Sequence, residues 1–568
     1  MAYDYIIVGG GSAGSVLANR LSARGSNQVL LCEAGQDTPA GQVPREIADS
    51  YPGVAYFDPR FHWTDLRVRT GVVSHNNPEE ALPPLRKYEQ ARVLGGGSSI
   101  NGQLANRGAP SDYNDWEARG AAGWSWDSVL PYFKKLERDV DFDGPYHGQT
   151  GPIPVRRIPP DQWNLHARAA AEAFRVAGFP FLPDQNGEFR DGHFPITISN
   201  FEEQRVSAAL GYLDPATRAR PNLTISTDTQ VKELLFVGRR CVGVRAMING
   251  REQELHANEV IVSSGAIHTP AHLLRAGVGP AGHLRDLGIE VIVNLPGVGQ
   301  RLMDHPSIAL SSFIKPNARM MREHSRRHVL VGMRYTSGIG GAPQGDMFVV
   351  CVSKSAWHAV GHQIGSLLVF VNKTYSETGQ VKLTSRDWRA EPLVEFNLLS
   401  DRRDLDRLMS GFRHLGAMQM SSALMDVTSD PFPASYSDRV RQIGVVNDRN
   451  RRLTAFFAKL LDGPEWLRRW LIDRYIVEGF RFDQLMTDDE ALEAFIRKAG
   501  IGVWHATCTC RMGADDDPMA VTDNQGRVRG VSGLRVVDAS LFPCVPCANT
   551  NFPTLMTAEK ISDTMLAA

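Results

Sequence analysis

The sequence is poor in cysteine and has no long apolar run. Seven cysteines in 568 residues are an odd and sparse set, which argues against the disulfide framework of a secreted protein. No apolar stretch is long enough to cross a bilayer. No basic segment precedes the first apolar run, so we expect no signal peptide. We therefore expect a cytoplasmic protein and no membrane partner.

Neither sign of charge dominates the chain. It has 62 basic and 63 acidic residues, a formal net charge of -1, whereas proteins that bind nucleic acid usually carry a basic footprint. We expect no nucleic-acid partner. Internal repeats and low-complexity tracts are also missing from the sequence. The chain is too long for one compact domain, and its 42% hydrophobic content is enough for a large core.

The N-terminal stretch has the pattern of a dinucleotide site. Tyr5 to Val8 is a short apolar run, typical of a buried parallel strand. Gly9, Gly11 and Gly14 follow with the spacing G-x-G-x-x-G. In such sites the glycines allow a tight turn, a close approach to pyrophosphate, and packing of the helix on the strand. The context of strand, glycines and helix favours a dinucleotide over an ordinary glycine-rich turn.

A second strand completes this pattern. Apolar residues at helical spacing predict a helix over 15–23, and Val29–Cys32 predicts the next strand. Glu33 ends that strand, where a carboxylate accepts hydrogen bonds from ribose hydroxyls. The same carboxylate would repel a 2′-phosphate. The motif alone does not separate NAD from FAD.

Two later apolar segments predict strands of the same sheet. They span 260–266 and 534–538, which implies that the nucleotide-binding domain is discontinuous, with a second domain inserted. Within the insert, i, i+4 apolar pairs predict a helix over 464–475. Thr487 to Glu490 has the pattern of a capping box, opening a helix that ends near Gly500.

Several segments together resemble the FAD-dependent glucose–methanol–choline (GMC) oxidoreductases. The residues 91–101 are close to the first signature of that family, and 265–279 are close to its second, with Ala276 where serine is usual. Two further parts of the chain resemble this family. One is Leu295–Gly299 followed by Asp304 and His305, and the other is the pair of C-terminal segments 503–513 and 534–554. Within the family, Val503–His505 and Ala548–Asn551 look most like bacterial aryl-alcohol and 5-hydroxymethylfurfural oxidases.

The resemblance implies an α/β fold of two domains. A discontinuous, Rossmann-type FAD-binding domain is expected over 1–158, 220–306 and 500–568. An inserted α+β substrate-binding domain is expected over 159–219 and 307–499.

Two residues are implied to be catalytic. His505 matches the active-site histidine of the family, and an imidazole suits the removal of a hydroxyl proton because its pKa lies near working pH. Asn549 matches the second active-site position, where other members carry histidine. Its amide cannot act as a base, but its N–H groups can donate to a developing alkoxide. From the residues alone, a buried structural histidine and a turn asparagine are the alternatives.

The resemblance also implies the residues that bind FAD. Their glycines would bring backbone N–H groups close to the pyrophosphate and the flavin. The expected set is Gly9, Gly11, Ser12, Ala13, Gly14, Glu33, Ala34, Arg92, Leu94, Gly95, Gly96, Gly97, Ser98, Asn101, Gly102, Val231, Ala266, Trp504, Asp538, Ala539, Asn549 and Thr550.

Ile100 occupies the position where some members of the family tether FAD through a histidine. Isoleucine cannot form that bond, so we expect FAD without a covalent link. Cys508 with Cys510, and Cys544 with Cys547, flank the catalytic motifs. A zinc site is one interpretation; small packing residues and no metal are the interpretation we favour.

The implied activity is oxidation of a primary alcohol, aryl or furanic, to the aldehyde. The partners are then a small-molecule alcohol and O2 or another electron acceptor, while the sequence leaves the oligomeric state open. Three alternatives remain: a dehydrogenase using another acceptor on choline or aliphatic alcohols, an FAD-containing hydroxynitrile lyase, and a non-catalytic flavin-binding protein. The basic run 319–328 is interpreted as a solvated loop, with a lid over the substrate channel as the alternative. The helix 464–475 is expected to pack inside the insert or at a subunit contact.

Overall fold

The computed structural model describes residues 3–73, 82–320, 326–434, 438–477 and 479–567. Within these ranges, helices and strands are interspersed in the first third of the chain. Later, runs of consecutive strands, such as those over 223–262, are followed by a run of helices over 438–499. The strands are, in chain order, β1 Tyr3–Val8, β2 Val29–Cys32, β3 Arg67–Arg69, β4 Arg86–Lys87, β5 Glu137–Asp139, β6 Ile153–Val155, β7 Gly192–Pro195, β8 Asn200–Phe201, β9 Gln204–Arg205, β10 Leu223–Ser226, β11 Thr229–Val237, β12 Arg240–Ile248, β13 Arg251–Val262, β14 Val278–Gly279, β15 Val293–Asn294, β16 Gln300–Leu302, β17 Pro306–Ile314, β18 Val329–Tyr335, β19 Met347–Val352, β20 Ile364–Val371, β21 Gly379–Lys382, β22 Leu393–Glu395, β23 Thr428–Ala434, β24 Ile501–Gly502 and β25 Leu534–Val536.

The α-helices surround these strands. They are, in chain order, α1 Ser12–Ser22, α2 Arg45–Ala48, α3 Gly53–Phe57, α4 Pro110–Ala118, α5 Trp126–Leu136, α6 Leu165–Val176, α7 Ala208–Tyr212, α8 Pro215–Arg218, α9 Gly265–Arg275, α10 Ala281–Asp286, α11 Arg402–Gln419, α12 Ser422–Val427, α13 Asp438–Gly444, α14 Asp448–Leu461, α15 Glu465–Tyr475, α16 Phe482–Thr487, α17 Asp489–Ala499 and α18 Asn551–Ala567. No helix of the described residues is long and apolar enough to span a membrane.

A first, largely parallel sheet carries the N-terminal motif. Its order is β10-β2-β1-β13, with β25 on the far side of β13, and each of these neighbours is parallel. The cores of β1 and β2 are continuous apolar runs because helices cover both faces of such a sheet. The antiparallel hairpin β11-β12 extends from β13. The predicted α/β fold with a Rossmann-type sheet is confirmed.

The glycines of the first turn are dictated by close packing. Gly9 has φ of +104°, and a Cβ there would lie 2.6 Å from the carbonyl oxygen of Ser263. A Cβ on Gly14 would overlap the carbonyl of Gly9. A side chain at either position would therefore push α1 and the end of β13 away from β1.

A second sheet is antiparallel and carries its own core. Its order is β23-β17-β20-β19-β18-β7, with β24 also paired to β17. Helix α11 packs against this sheet and buries Leu405, Leu408 and Phe412. Strand β24 leads directly from this second sheet into residues 503–506, which include His505. His505 and Asn549 line the cavity between the two sheets.

A third sheet joins segments from both predicted domains. Its order is β16-β21-β22-β3-β4, so β22 pairs with β3 and β21, and β4 pairs with β3. The domain boundaries given above remain a prediction.

Two local expectations need correction. The N-cap of α17 is Asp488, whose carboxylate accepts from the N–H of Ala491 at 3.0 Å. The helix therefore begins one residue later than predicted, and the predicted capping box does not form.

Helix α15 packs inside the insert through one face. It buries Leu471 and Ile472 in an apolar cluster and leaves Trp466 71% exposed.

The interpretation of the basic run as a solvated loop is wrong at its C-terminal end. Arg327 is fully buried and donates to the carbonyls of Ser50 and Gly102 at 3.2 and 2.9 Å, which replace water around its guanidinium. Arg326 pairs with Asp49. Residues 321–325 of the run lie outside the described residues.

Candidate active site

One cavity of about 400 Å³ opens where the first sheet meets the second. It is walled by the ends of β1 and β2, the starts of α1 and α9, the loop 96–102, and the segments 503–506 and 549–551. Ligands of open α/β sheets bind at such carboxyl ends of parallel strands. The predicted residues on its wall are Gly9, Gly11, Ser12, Ala13, Glu33, Ala34, Gly96, Gly97, Asn101, Gly102, Val231, Ala266, Trp504, His505, Asp538, Ala539, Asn549 and Thr550.

Five predicted residues support this wall from behind. Gly14 packs on Gly9, and the N–H of Gly95 donates to the carbonyl of Gly10 at 2.8 Å. Ser98 donates to the carbonyl of Gly95, and its Oγ accepts from the N–H of Ala208. Nε of Arg92 donates to the carbonyl of Ala34 at 3.2 Å, and the side chain of Leu94 packs against Gly10.

The backbone of the cavity fits the pyrophosphate of a dinucleotide. A Cβ on Gly96 would lie 2.7 Å from Cα of Gly11, so two glycine loops touch each other beneath the cavity. The start of α1 has no side-chain cap. The N–H groups of its first turn therefore remain available to an anion, as at the helix N-termini that hold phosphate.

Glu33 is held in place by the glycine loops. Its Oε2 accepts from the N–H of Gly10 at 2.9 Å and its Oε1 accepts from the N–H of Gly35 at 2.8 Å. Burial raises the pKa of this carboxyl above its usual value, and the two N–H groups oppose the shift. Each oxygen keeps a second lone pair, so the side chain can still accept from a ribose hydroxyl.

His505 is positioned by a buried aspartate. The Oδ1 of Asp304 accepts from the backbone N–H groups of His505, Val503 and His305 at 3.0, 3.2 and 2.7 Å. Burial raises the pKa of Asp304 to about 7, despite these donors. Between Val503 and His505, which both donate to Asp304, Trp504 has a φ of +61°. This conformation turns the chain sharply before the histidine.

A chain of hydrogen bonds fixes the tautomer of His505. The Nε2 of His305 lies 3.1 Å from the carbonyl oxygen of Pro546, which can only accept, so that nitrogen carries a proton. Burial lowers the pKa of His305 to about 4, which keeps the ring neutral and leaves its Nδ1 as an acceptor. The Nδ1 of His505, 2.8 Å away, must then donate. The Nε2 of His505 is consequently unprotonated.

Asn549 contacts the unprotonated Nε2 of His505. Its Nδ2 lies 3.1 Å from Nε2 of His505, and its backbone N–H donates to Oδ1 of Asn106 at 2.9 Å. Since Nε2 of His505 accepts, the amide must direct its NH2 group there. The Oδ1 of Asn549 is buried without a partner. One unprotonated imidazole nitrogen and one amide thus meet at the same point of the cavity wall.

An aromatic cluster flanks the histidine. The ring of Trp504 lies 5.3 Å from that of Tyr56 and 6.2 Å from that of Tyr88. Its Nε1 donates to Oε2 of Glu89 at 3.2 Å, as does the hydroxyl of Tyr56. Sequence reasoning assigned no acid to this motif. The structure brings Glu89 there from more than 400 positions earlier in the chain.

Four cysteines near the catalytic motifs are buried thiols, as are the other three. Cys508 takes φ of +76°, which accounts for the glycine usual at this position. Ile100 is 4% exposed and packs among apolar residues rather than on the cavity wall. Burial raises the pKa of Cys544 to about 12, so this thiol is protonated.

Sequence reasoning missed several residues of the site. Asp304 and His305 belong to a motif of the family that received no role, and they contact His505 across 201 and 200 positions. The wall residues that carried no site prediction include Tyr56, Trp63, Tyr88, Gln90, Leu104, His268, His272, Arg275, Trp388 and Glu391. Half of them are polar or aromatic residues in loops, which have no local pattern that marks them.

Two family models match this chain. The N-terminal model of the GMC oxidoreductases matches residues 3–307, and the C-terminal model matches residues 374–558. The chain belongs to the GMC oxidoreductase family. The predicted resemblance, the FAD cofactor and the class of alcohol oxidoreductase are thereby confirmed.

Relatives cover nearly the whole chain. The sequence is 42% identical to 5-(hydroxymethyl)furfural oxidase of Methylovorus sp. (strain MP688), across 99% of this chain and 98% of that protein. It is 33% identical to oxygen-dependent choline dehydrogenase of Paraburkholderia xenovorans (strain LB400), across 99% and 94%. The fold matches pyridoxine 4-oxidase from Mesorbium loti with a TM-score of 0.81, at 24% identity, across 100% and 99% of the two chains.

Proposed function

We propose that this GMC oxidoreductase oxidises primary alcohols attached to an aromatic or furan ring, and that O2 accepts the electrons. The observation that carries the proposal is the unprotonated Nε2 of His505 beside the NH2 group of Asn549 on the cavity wall. The similarity to 5-(hydroxymethyl)furfural oxidase supports the furan ring.

His505 is proposed as the base. Its Nε2 accepts the hydroxyl proton, and burial keeps the pKa of the ring well below its usual value, so the base form dominates at neutral pH. The bond from its Nδ1 to His305 exists before and after the proton arrives. The ring therefore needs no reorientation during the reaction.

Asn549 is proposed to stabilise the substrate oxygen. One of its two N–H groups meets His505, and the other is available to donate to the oxygen as negative charge develops. Its anchor on Asn106 holds the amide in place. The chemistry that FAD supplies when bound is acceptance of the hydride that leaves the carbinol carbon.

The remaining predicted residues keep their proposed roles in FAD binding. The glycine loops and the start of α1 would hold the pyrophosphate, Glu33 the ribose, and Val231 the adenine by its backbone. Acid precipitation tests the absence of a covalent link: all yellow colour should remain in the supernatant. Flavin in the pellet would contradict the prediction made from Ile100. A cytoplasmic location remains a prediction from the cysteine pattern.

The aromatic cluster bears on which of two substrate classes the enzyme prefers, neutral aromatic alcohols or cationic alcohols. Tyr56, Tyr88 and Trp504 lie on the cavity wall, whereas Glu89 does not. Flat rings favour stacking of a neutral aromatic alcohol. A cationic alcohol such as choline is the second candidate, since Glu89 together with these rings resembles an ammonium site, and choline dehydrogenases are among the relatives.

Steady-state turnover on a panel of alcohols tests the proposal. Benzyl alcohol and 5-hydroxymethylfurfural should give the highest kcat/KM, with one hydrogen peroxide formed for each aldehyde. Highest turnover on choline would establish the second candidate. Rapid dye reduction with negligible peroxide would identify a dehydrogenase, and cleavage of a cyanohydrin without flavin reduction would identify a lyase.

A further inference from the structure

A second cavity of about 380 Å³ lies on the other side of the loop that carries Asn549. Cys547 of this loop is on its wall, as is Asn106, the anchor of Asn549. The two cavities share no wall residue among the described parts of the chain. Nothing in the proposed reaction uses this space.

Arg334 is a buried cation on the wall of this cavity. It is 4% exposed, and its guanidinium lies 3.7 Å from the centre of the Phe189 ring. Its Nε and Nη2 donate to the carbonyl oxygen of Arg190 at 3.1 and 3.0 Å. Across the described ranges, no carboxylate lies within 4 Å of its nitrogens.

The two carboxylates that act electrostatically on Arg334 are Asp184 and Asp191, and both have other partners. Asp184 pairs with Arg157 at 2.6 Å and with His147 at 2.9 Å. Asp191 accepts from the N–H and the hydroxyl of Thr336. A buried guanidinium without a carboxylate partner favours binding of an anion.

Two amides add directed polar atoms. Oε1 of Gln185 accepts from the N–H of Thr197 at 2.9 Å, which identifies its Nε2 as a buried donor without a partner. The NH2 group of Asn372 donates to the carbonyls of Gly345 and Cys547 at 3.1 and 3.2 Å, which leaves its Oδ1 without a partner. Buried polar atoms of this kind require a water or a ligand.

Aromatic rings complete the cavity. Trp126, Phe189 and Phe348 are on its wall together with Arg334 and the two amides. Its other cation, Arg107, already pairs with Glu137, and the acid Glu188 is exposed at the rim, 3.9 Å from Arg190. The wall thus combines aromatic rings with convergent polar groups, and such a combination fixes the orientation of a bound small molecule.

We propose that this second cavity binds a small aromatic or furanic carboxylate. The carboxylate would accept from Arg334 and Gln185, the ring would pack against Phe189 and Phe348, and a hydroxyl on the ligand would donate to Asn372. Bidentate contact with a planar guanidinium explains why a carboxylate, rather than a neutral ring, is selected.

Asn372 connects this second cavity to the active site. Its NH2 group holds the carbonyl of Cys547, one residue before Ala548 and two before Asn549. The neighbouring carbonyl of Pro546 accepts from His305. A ligand that moves Asn372 would therefore shift both residues that contact His505, namely Asn549 and His305. We expect such a ligand to lower kcat more than it changes KM. This readout rests on the proposed function, whereas binding itself does not.

Calorimetric titration of the FAD-loaded enzyme with 2-furoate tests the proposal. Wild-type protein should bind 2-furoate, and its neutral amide, 2-furamide, should bind at least 10-fold more weakly. Arg334→Gln should weaken 2-furoate binding at least 10-fold. The control Arg190→Gln changes an arginine whose side chain is 55% exposed and should leave the affinity unchanged.

A second variant protects the test against misfolding of Arg334→Gln. Ser111 is exposed on α4 and lies on the cavity wall, so Ser111→Trp should fill the space from its rim and abolish binding. Inhibition of alcohol oxidation by 2-furoate should be noncompetitive or mixed. The proposal is overturned if wild-type protein does not bind 2-furoate, if Ser111→Trp binds it normally, or if inhibition is purely competitive.

Discussion

Nδ1 of His305 lies 2.8 Å from Nδ1 of His505, and the carbonyl of Pro546 lies 3.1 Å from the other nitrogen of His305. This order of donors leaves only one arrangement of protons for two neutral rings. It leaves Nε2 of His505 as an acceptor on the cavity wall, where the NH2 group of Asn549 lies 3.1 Å away. In the proposed reaction His305 is therefore a positioning residue, since it would act on the substrate only through His505.

Replacing His305 tests this relationship. His305→Phe keeps a ring but removes the acceptor, so flavin reduction should slow by about 10-fold or more. The control His193→Phe alters another buried histidine, on β7, and should leave the rate unchanged.

The pH profile separates positioning from a merely structural role. The pKa of His505 is lowered first by burial and second by the positive charge that His305 gains in acid, where its own pKa of about 4 is reached. Without His305 the pKa of His505 should rise, and the neutral base should be lost at a higher pH as the solution is acidified. The acid limb of kcat/KM should therefore move to higher pH in His305→Phe. An unshifted limb would remove His305 from the mechanism.

Asn549→Asp should also slow flavin reduction. A carboxylate at this position would repel the developing alkoxide and would stabilise the protonated form of His505. Asn549→His retains an N–H donor and should keep more activity than Asn549→Asp. Equal rates in the two variants, measured by anaerobic stopped flow, would show that the donor is not needed.

Glu33→Ala should weaken FAD binding by about 10-fold or more, because hydrogen bonds to a charged group are lost at the end of β2. Fluorescence titration of the apoprotein with FAD gives the dissociation constant. Glu172→Ala, at an exposed glutamate on α6, is the control. An unchanged constant in Glu33→Ala would argue against the ribose contact.

The stability of the protein should fall in alkaline solution because of His147. Burial disfavours its charge, but Asp139, Asp184 and Glu137 outweigh burial and raise its pKa from 6.5 to about 10. The stabilisation is complete below pH 6.5 and is lost as the pH rises through 10. His147→Leu should therefore lower the melting temperature strongly at pH 6 and much less at pH 10. His256→Leu, at an exposed histidine, should show no such convergence.

Local signals in the sequence were enough for the nucleotide-binding half of the fold. The strand Val29–Cys32 was predicted at its observed bounds, and the glycine spacing placed α1. Such elements are set by apolar runs and close backbone packing, both of which are local. Resemblance to a family then selected His505 and Asn549 as catalytic candidates, and both lie on the wall of the cavity.

The rest of the site depends on contacts between distant parts of the chain. His305 pairs with His505 across 200 positions, and Glu89 meets Trp504 across more than 400. Neither pair has a spacing that periodicity could detect. Arg334 and Asn372 likewise acquire meaning only once the second sheet brings them to one cavity.

The most direct measurement of the central claim is anaerobic mixing of the enzyme with 5-hydroxymethylfurfural while flavin absorbance is followed. Wild-type enzyme should bleach rapidly, and choline at the same concentration should bleach it far more slowly. His505→Ala should retain its FAD and bleach about 10²-fold more slowly, or slower still. Bleaching of His505→Ala at the wild-type rate, or no bleaching of the wild-type enzyme, would contradict the assignment of His505 as the base in alcohol oxidation.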